Sequence, residues 1–303
     1  MKIGLVLSGG GGKGAYELGV WKALKELNIS KYISVFSGTS IGAFNAVLFA
    51  MDDMDKADEL WEVVTMEQLA PVSKMELMKK GLGLYIGGKN LQIAKKILNE
   101  KGEHKFIAND GAISIIDKYL DVDKIKANKN VCYAACTEID TFKSRYFRIN
   151  DYDDKLGKKI VLASASLPLF YDSTDILGRR YVDGGVSDNT PIQPVYGENC
   201  DIIIVVLLSK DEVVDRSLYP NSKIIIIAPE NLYENTITGT LNLDSLAKKK
   251  RIIEGYNDTI NKFEPIMDIV KFIDSEEEKK EGIVDKVSNI TKLIKKYRKT
   301  NKW

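Results

Sequence analysis

A candidate nucleophile lies near the start of the chain, in a pattern typical of serine hydrolases. The pattern G-x-S-x-G places a reactive serine on a sharp strand-to-helix turn, and it is matched by Gly38, Thr39, Ser40, Ile41 and Gly42. Such a serine usually gives its proton to a histidine. The chain has a single histidine, His104, in the polar run EKGEHK, which is typical of a solvated loop or helix end. If Ser40 is a nucleophile, its base is therefore predicted to be another residue type.

A glycine-rich loop precedes the first predicted helix, and it consists of Gly9, Gly10, Gly11, Gly12, Lys13 and Gly14. It matches the dinucleotide fingerprint, but that site needs an acidic residue at the end of the second strand, where this chain has SGTS. A P-loop needs Ser or Thr after its lysine, and Gly14 stands there. Backbone N–H groups at a helix start can also stabilise the oxyanion of an acyl intermediate. With a candidate nucleophile after the next strand, we interpret the loop as an oxyanion hole.

The candidate base is Asp183, which follows the short apolar strand RYV and precedes Gly184 and Gly185. Active residues of parallel sheets gather at the carboxyl ends of strands, and we expect Asp183 to lie at such an end. A carboxylate within hydrogen-bond reach of Ser40 could accept its proton and later activate water. Asp-Gly-Gly is also an ordinary turn sequence. On spacing alone, Asp172 and Asp188 are alternative bases.

The elements that must position these residues alternate between strand and helix. Residues 2–8 and 32–37 read as buried strands, each followed by a helix, at about 20–27 and 41–51. Two such units predict a parallel sheet with right-handed crossovers. Further strands are predicted at 131–139, 144–149, 202–208 and 223–228, with a helix at 156–166. We therefore predict one α/β domain over 1–303, a three-layer α/β/α core of about 1–230 with a helical insertion at about 52–130 and a helical extension at about 240–303.

Composition excludes several other classes of protein. The 44 basic and 43 acidic side chains nearly cancel, which gives no electrostatic basis for nucleic-acid binding. Three cysteines without C-x-x-C spacing favour a reducing, cytoplasmic setting. The acidic run at 151–154 lacks the spacing of a calcium loop, so neither a metal nor a cofactor is expected. The most apolar segment, 41–51, is about half a membrane span, so no transmembrane segment is expected.

Three motifs, in this order, together resemble the patatin-like phospholipases, a family of serine lipid acyl hydrolases. They are SGGGGKGAYELGV, GTSIGA and DGGVSDNTP, and the stretch ASASLP before the third adds to the likeness. The resemblance runs from about residue 3 to residue 208. It implies a dyad of Ser40 as nucleophile and Asp183 as base, an oxyanion hole from the N–H groups of residues 9–14, and a loop-shaping role for Lys13. Many members carry an aspartate where this chain has Ser8.

The resemblance implies hydrolysis of carboxylic esters in phospholipids, lysophospholipids or related acyl lipids through an acyl-serine intermediate. Two alternatives remain: an acyltransferase that passes the acyl group to a thiol or alcohol, and a non-catalytic protein that binds lipid or nucleotide. Residues 52–130 match nothing specific and are expected to shape access of the acyl chain. Residues 283–303 form a basic amphipathic pattern, which could contact an anionic membrane surface or dock on the core with a solvated charged face.

Overall fold

The computed structural model describes residues 1–72, 76, 109–168, 170–210, 212–230, 236–269 and 292. The chain divides into two compact units, Met1–Thr259 and Ile260–Trp303. In the second unit, residues 260–269 are helical. The candidate chemistry lies wholly in the first unit.

Eight strands of the described residues form one mixed sheet, in the order β5-β6-β3-β2-β1-β7-β8 with β4 also paired to β3. The strands are β1 Ile3–Leu7, β2 Ile33–Thr39, β3 Val131–Glu138, β4 Ser144–Arg148, β5 Thr174–Ile176, β6 Arg179–Asp183, β7 Ile202–Val206 and β8 Lys223–Ile227. The five strands β1, β2, β3, β7 and β8 pair in parallel. The predicted α/β class with a mainly parallel sheet is confirmed.

Helices cover both faces of the sheet, as the fully apolar strands require. They are α1 Ala15–Glu26, α2 Ile41–Ala50, α3 Met54–Val63, α4 Met66–Leu69, α5 Asp110–Tyr119, α6 Val122–Ala127, α7 Asp154–Ser164, α8 Ile192–Gly197, α9 Thr236–Leu241 and α10 at 245–259. On one face, Phe36 of β2 meets Trp21 of α1 at 5.8 Å between ring centroids, and Trp21 stacks on Phe49 of α2 at 5.2 Å. On the other face, Val6 and Val195 share a buried cluster beneath α8.

Strand β3 holds three neighbours because two of them share one of its edges. β2 pairs with Val131–Ala135, and β6 pairs in the opposite direction with Cys136–Glu138. Successive N–H groups of a strand point to opposite edges: that of Glu138 donates to Lys143 beside β4, and that of Ile139 donates to Arg180 in β6, both at 3.0 Å. β2 and β6 therefore lie end to end along the edge of β3 opposite β4.

The described part of the chain contains three free, buried cysteines, Cys132, Cys136 and Cys200. Cys136 lies in β3, and burial beside Asp183 raises the pKa of its thiol well above the ordinary value. All three side chains are buried in the core. Among the described residues, no helix combines the length and apolar character needed to cross a bilayer.

Candidate active site

Ser40 sits at a sharp turn between β2 and α2. Its backbone angles, φ 56° and ψ −124°, are strained for a residue with a side chain. The flanking glycines permit the turn, since a Cβ atom on Gly38 would lie 2.1 Å from the carbonyl oxygen of Gly42. A Cβ atom on Gly42 would lie 2.3 Å from the carbonyl oxygen of Leu7. This is the backbone geometry that G-x-S-x-G predicts.

A second serine, Ser164, binds the main chain of the turn that carries Ser40 and so helps to fix it. The N–H of Ser40 donates to Ser164 Oγ at 2.9 Å, and the Ser164 hydroxyl donates to the carbonyl oxygen of Ala135 in β3 at 2.6 Å. Ser164 is fully buried at the end of α7. The sequence placed Ser164 in the stretch ASASLP but gave no signal of this contact, which only the packing of α7 on β3 creates.

Asp183 is a buried carboxylate with one free oxygen. Its Oδ1 accepts the N–H of Gly185 at 2.8 Å, and its Oδ2 has no hydrogen-bond partner. Burial raises its pKa from 3.8 to about 6, while the nearby hydroxyl of Ser40 and the Gly185 N–H lower it in part. The Ser40 hydroxyl therefore lies within electrostatic reach of the carboxylate, short of a hydrogen bond of standard geometry. Catalytic hydrogen bonds are often long before substrate binds.

Asp183 is the last residue of β6, so it lies at the carboxyl end of a strand. The direction of that strand could not be predicted from the sequence. Strand β6 runs antiparallel to β3. Asp183 and Ser40 meet because β2 ends opposite Ala135, and Asp183 occupies the next position, opposite Cys136.

The glycines after Asp183 let this loop approach the nucleophile turn. A Cβ atom on Gly184 would lie 2.3 Å from the carbonyl oxygen of Ala135 and 2.9 Å from Cγ2 of Thr39. Any larger residue would push the base loop away from β2 and β3. Gly185 is exposed beside the site, and its N–H orients the carboxylate.

The glycine loop, residues 9–14, packs against Ser40. Gly11–Gly14 form one 3₁₀ turn that leads into α1, and a Cβ atom on Gly9 would lie 3.3 Å from Cβ of Ser40. The N–H of Gly9 donates to the carbonyl oxygen of Asn189 at 3.1 Å, and that of Lys13 donates to the carbonyl oxygen of Gly10 at 3.2 Å. The N–H groups that begin a helical turn have no partner within it. Those of Gly10, Gly11 and Gly12 are accordingly placed to meet a ligand.

An apolar cavity opens beside Ser40. The cavity has a volume of about 130 Å³. Helices α2, α3 and α5 contribute seven of its twenty lining residues, and the region expected to shape access, 52–130, supplies eight of the twenty. The lining residues are Gly11, Gly12, Ser40, Ile41, Phe44, Leu60, Trp61, Val64, Met66, Leu69, Ala112, Ile115, Ile116, Ala165, Leu167, Phe170, Tyr171, Thr240, Leu241 and Leu243.

A family model described as patatin-like phospholipase matches residues 5–196, which contain the glycine loop, Ser40 and Asp183. The chain belongs to this family. The predicted family is therefore confirmed.

Individual relatives share only part of their length with this patatin-like phospholipase. A lysophospholipase nte1 from Aspergillus terreus is 54% identical over 50 residues, or 16% of this chain and 3% of the relative. The solved structure of VipD from Legionella pneumophila is 16% identical over 86% of this chain and 66% of its own, with a TM-score of 0.46. Human GIVD cytosolic phospholipase A2 is 11% identical over 89% of this chain and 59% of its own, with a TM-score of 0.43. The chain thus spans a few per cent of the curated relatives it matches.

In this patatin-like phospholipase, a closed polar network lies behind the glycine loop. Asn45 of α2 donates through Nδ2 to the carbonyl oxygen of Gly14 at 3.1 Å and to Glu17 Oε2 at 2.8 Å, and it accepts the indole N–H of Trp61 at 3.1 Å. Glu17 is fully buried, and burial raises its pKa well above the ordinary value. Its Oε1 has no hydrogen-bond partner. The network joins the loop, the nucleophile helix and a wall of the cavity, and motif reasoning did not find it.

The carboxylates of the two alternative bases, Asp188 and Asp172, have other hydrogen-bond partners. Asp188 accepts the hydroxyl of Tyr146 at 2.6 Å and the N–H of Thr190 at 3.0 Å, which occupies both of its oxygens. Asp172 is exposed and binds its neighbour Ser173. His104, the basic segment 283–303 apart from Lys292, and most of 73–108 lie outside the described residues. Within the described ranges, no cluster of three or more His, Cys, Asp or Glu side chains could hold a metal ion.

Proposed function

We propose that this protein hydrolyses carboxylic ester bonds of phospholipids or lysophospholipids through an acyl-Ser40 intermediate, with Asp183 as the base. The observation that carries the proposal is the meeting of three features at one point. A serine on a strained turn lies close to a buried carboxylate with a free oxygen, and the serine lines an apolar cavity.

In the first step, Asp183 takes the proton from Ser40 Oγ as this oxygen attacks the ester carbonyl carbon. The alcohol part of the lipid leaves with a proton, and the acyl group stays on Ser40. Water then attacks the acyl-serine, with Asp183 again accepting a proton. A pKa of about 6 suits this role, because the carboxylate is mostly ionised at neutral pH and is a stronger base than an ordinary aspartate.

The negative charge on the carbonyl oxygen needs hydrogen-bond donors on the side of Ser40 away from Asp183. We assign this role to the N–H groups of Gly10, Gly11 and Gly12, since those of Gly9 and Lys13 already bind within the protein. The remaining residues of the loop, Gly14 included, support the turn: a Cβ atom on Gly14 would lie 2.5 Å from Ile41 next to the nucleophile.

The apolar cavity fits the acyl chain of the substrate. Its wall offers aliphatic and aromatic surface from Ile41 beside the nucleophile to Phe170 and Leu241. A buried alkyl chain contributes about 0.8 kcal/mol per CH₂, so we expect longer acyl chains to bind more tightly until the cavity is full. We extend the proposal to lysophospholipids because the short local match is to proteins named lysophospholipases.

The test compares wild type, Ser40→Ala and the control Ser217→Ala, which changes an exposed serine remote from the cavity. Wild type and Ser217→Ala should react with a fluorophosphonate probe and hydrolyse p-nitrophenyl butyrate, whereas Ser40→Ala should do neither. Equal probe labelling of folded Ser40→Ala would contradict the assignment. Fatty-acid release from lysophosphatidylcholine, measured with and without glycerol, distinguishes hydrolysis from transfer, because a transferase would form monoacylglycerol.

A further inference from the structure

We propose that Arg251, on α10, is a positioning residue for the catalytic glycine loop. Helix α10 begins well beyond the segment 5–196 that matches the family. The inference rests on the proposed function, since it gives Arg251 a role in stabilising the oxyanion that forms at Ser40. Arg251 itself touches no reacting atom.

The guanidinium of Arg251 is fully buried and reaches the main chain of the loop. Its Nη1 donates to the carbonyl oxygens of Gly12 at 2.8 Å and Asn242 at 2.6 Å, and its Nη2 donates to the carbonyl oxygen of Gly239 at 3.0 Å. A guanidinium stays charged in any protein environment. One buried cation thus joins the loop to the segment 239–242.

The contact with Gly12 fixes a particular peptide group. In a trans peptide, the C=O of Gly12 and the N–H of Lys13 lie in one plane and point in opposite directions. At the C=O end of this plane the Gly12 oxygen accepts from Arg251 and from the N–H of Ala15, and the carbonyl oxygen of Gly10 holds the N–H end at 3.2 Å. With both ends held, the turn that presents the N–H groups of Gly11 and Gly12 cannot rotate.

The loop needs such a restraint because glycines do not fix their own conformation. Gly11 has φ +55°, and glycine retains more conformational freedom than any other residue. The segment held by Arg251 packs closely on the same two glycines: Cβ atoms would lie 2.4 Å from the carbonyl oxygen of Thr240 at Gly11 and 2.2 Å from that of Asn242 at Gly12. Thr240 and Leu241 also line the cavity. Arg251 therefore fixes the donor loop together with the segment 239–242 that packs on it.

The position of Arg251 also has an electrostatic effect. The carbonyl oxygen of Gly12 would repel an oxyanion if it turned toward the cavity, and Arg251 binds it on the opposite side. Preorganised donors stabilise a transition state because they need no rearrangement when charge develops. Loss of Arg251 should thus act on the transition state and leave binding of the uncharged substrate nearly unchanged.

Three variants test the proposal: Arg251→Met, Arg251→Lys and the control Lys248→Met. Lys248 lies on the same helix, is likewise buried, and donates to the carbonyl oxygens of Glu62 at 3.0 Å and Val64 at 2.6 Å, away from the glycine loop. Its loss should weaken docking of α10 without freeing the Gly12 peptide. Melting temperature and circular dichroism establish that each variant is folded.

We expect Arg251→Met to lower kcat for p-nitrophenyl butyrate roughly 100-fold, the effect of a small misplacement of a catalytic group, with KM nearly unchanged.

The affinity of Arg251→Met for octyl trifluoromethyl ketone should fall in parallel with kcat. That ketone accepts a bond from Ser40 Oγ while the carbonyl electron pair moves to oxygen and the serine proton passes to Asp183. The corresponding alcohol, which forms no oxyanion, should bind as in wild type. Arg251→Lys, which keeps the charge without the planar fork, should lie between, and Lys248→Met should keep kcat within about threefold.

Two outcomes overturn the inference: wild-type kcat in folded Arg251→Met, or an equal loss in Lys248→Met at a similar melting temperature. If Arg251→Met does not fold, Arg251→Lys is the test. Its affinity for the ketone should fall relative to its affinity for the alcohol, and an unchanged ratio would overturn the inference. Failure of the proposed function is recognisable separately, because wild type would then neither hydrolyse the ester nor react with the fluorophosphonate probe.

Discussion

Asp183 at the end of β6 and Glu17 in the first turn of α1 are two of the buried carboxyl groups in the described part of the catalytic unit. Burial raises the pKa of each, and each has one oxygen without a hydrogen-bond partner. Their surroundings differ. Asp183 lies beside a hydroxyl at a cavity, whereas Glu17 binds the amide of Asn45 inside a closed network.

Under the proposed function, this difference makes Asp183 a catalytic base and leaves Glu17 a structural role only. The pKa of Asp183 stays near 6 because two donors partly offset the cost of burial, so the group can change its charge near neutral pH. Glu17 has a pKa far above its ordinary value and receives only the neutral amide. Burial therefore favours the protonated form of Glu17, which accepts the amide N–H of Asn45. The same residue chemistry serves catalysis in one place and packing in the other.

The largest expected effect is on the rate after Asp183→Asn. The amide keeps the shape and the contact with Gly185 but cannot accept the Ser40 proton. We expect kcat/KM for p-nitrophenyl butyrate to fall roughly 10²–10⁴-fold, the usual contribution of a general base, with the fold unchanged by circular dichroism. Full activity in this variant would show that Asp183 is not the base, and Asp183 would then have no functional role that Glu17 lacks.

The pH dependence of wild type should report Asp183 and not Glu17. Because the carboxylate form is the base and its pKa is about 6, kcat/KM should fall about tenfold per pH unit below that value. Steady-state rates in buffers of constant ionic strength from pH 4.5 to 8 measure this. A profile that is flat down to pH 5 would assign proton transfer to another group.

Stability should show the opposite sign to activity. The pKa of Asp183 is raised on folding, so the folded state binds the proton more tightly and the free energy of unfolding decreases as pH rises from about 4 to about 6. Asp183→Asn removes this penalty and should be more stable at pH 8 by at most roughly 3 kcal/mol. Urea unfolding at pH 8 and pH 4 checks the difference, which should shrink at the lower pH. A variant less stable at pH 8 would contradict the assignment.

The smallest expected effect on activity belongs to Glu17→Gln. The amide oxygen can still accept from Asn45, and the substitution keeps the uncharged form that burial favours. We expect kcat/KM within about twofold of wild type and an increase in melting temperature at pH 8. Asn45→Leu is the matched disruption, since it breaks the contacts to Gly14, Glu17 and Trp61 together. A loss in Glu17→Gln as large as that in Asp183→Asn would make Glu17 part of the catalytic machinery.

Much of the fold followed from local patterns in the sequence. Runs such as IIIVV at β7 are apolar at every position, and only a strand covered on both faces uses such a run. The direction of β6 did not follow, because the residues Arg179–Asp183 have the same pattern in either direction. The direction of β6 depends on how this strand pairs with β3, and that pairing exists only in the assembled sheet.

The site divides in the same way. Ser40, the glycine loop and Asp183 carry motif signals because the backbone there needs glycine or an unusual conformation. Arg251, Ser164 and Asn45 carry none, since each acts through contacts with main-chain atoms distant in sequence. An arginine on an amphipathic helix resembles any solvated charge until the packing buries it. Positioning residues of this kind become visible only in three dimensions.

The end-to-end meeting of β2 and β6 on one edge of β3 has a consequence for how the protein can change. The spacing between nucleophile and base is set by backbone hydrogen bonds to a single strand. Apart from α7, which carries Ser164, the helices of the chain that connects them are therefore free to lengthen, shorten or be exchanged, provided that β3 stays in place. The apolar cavity, whose wall comes in part from these helices, can thus change its shape while Ser40 and Asp183 keep their positions.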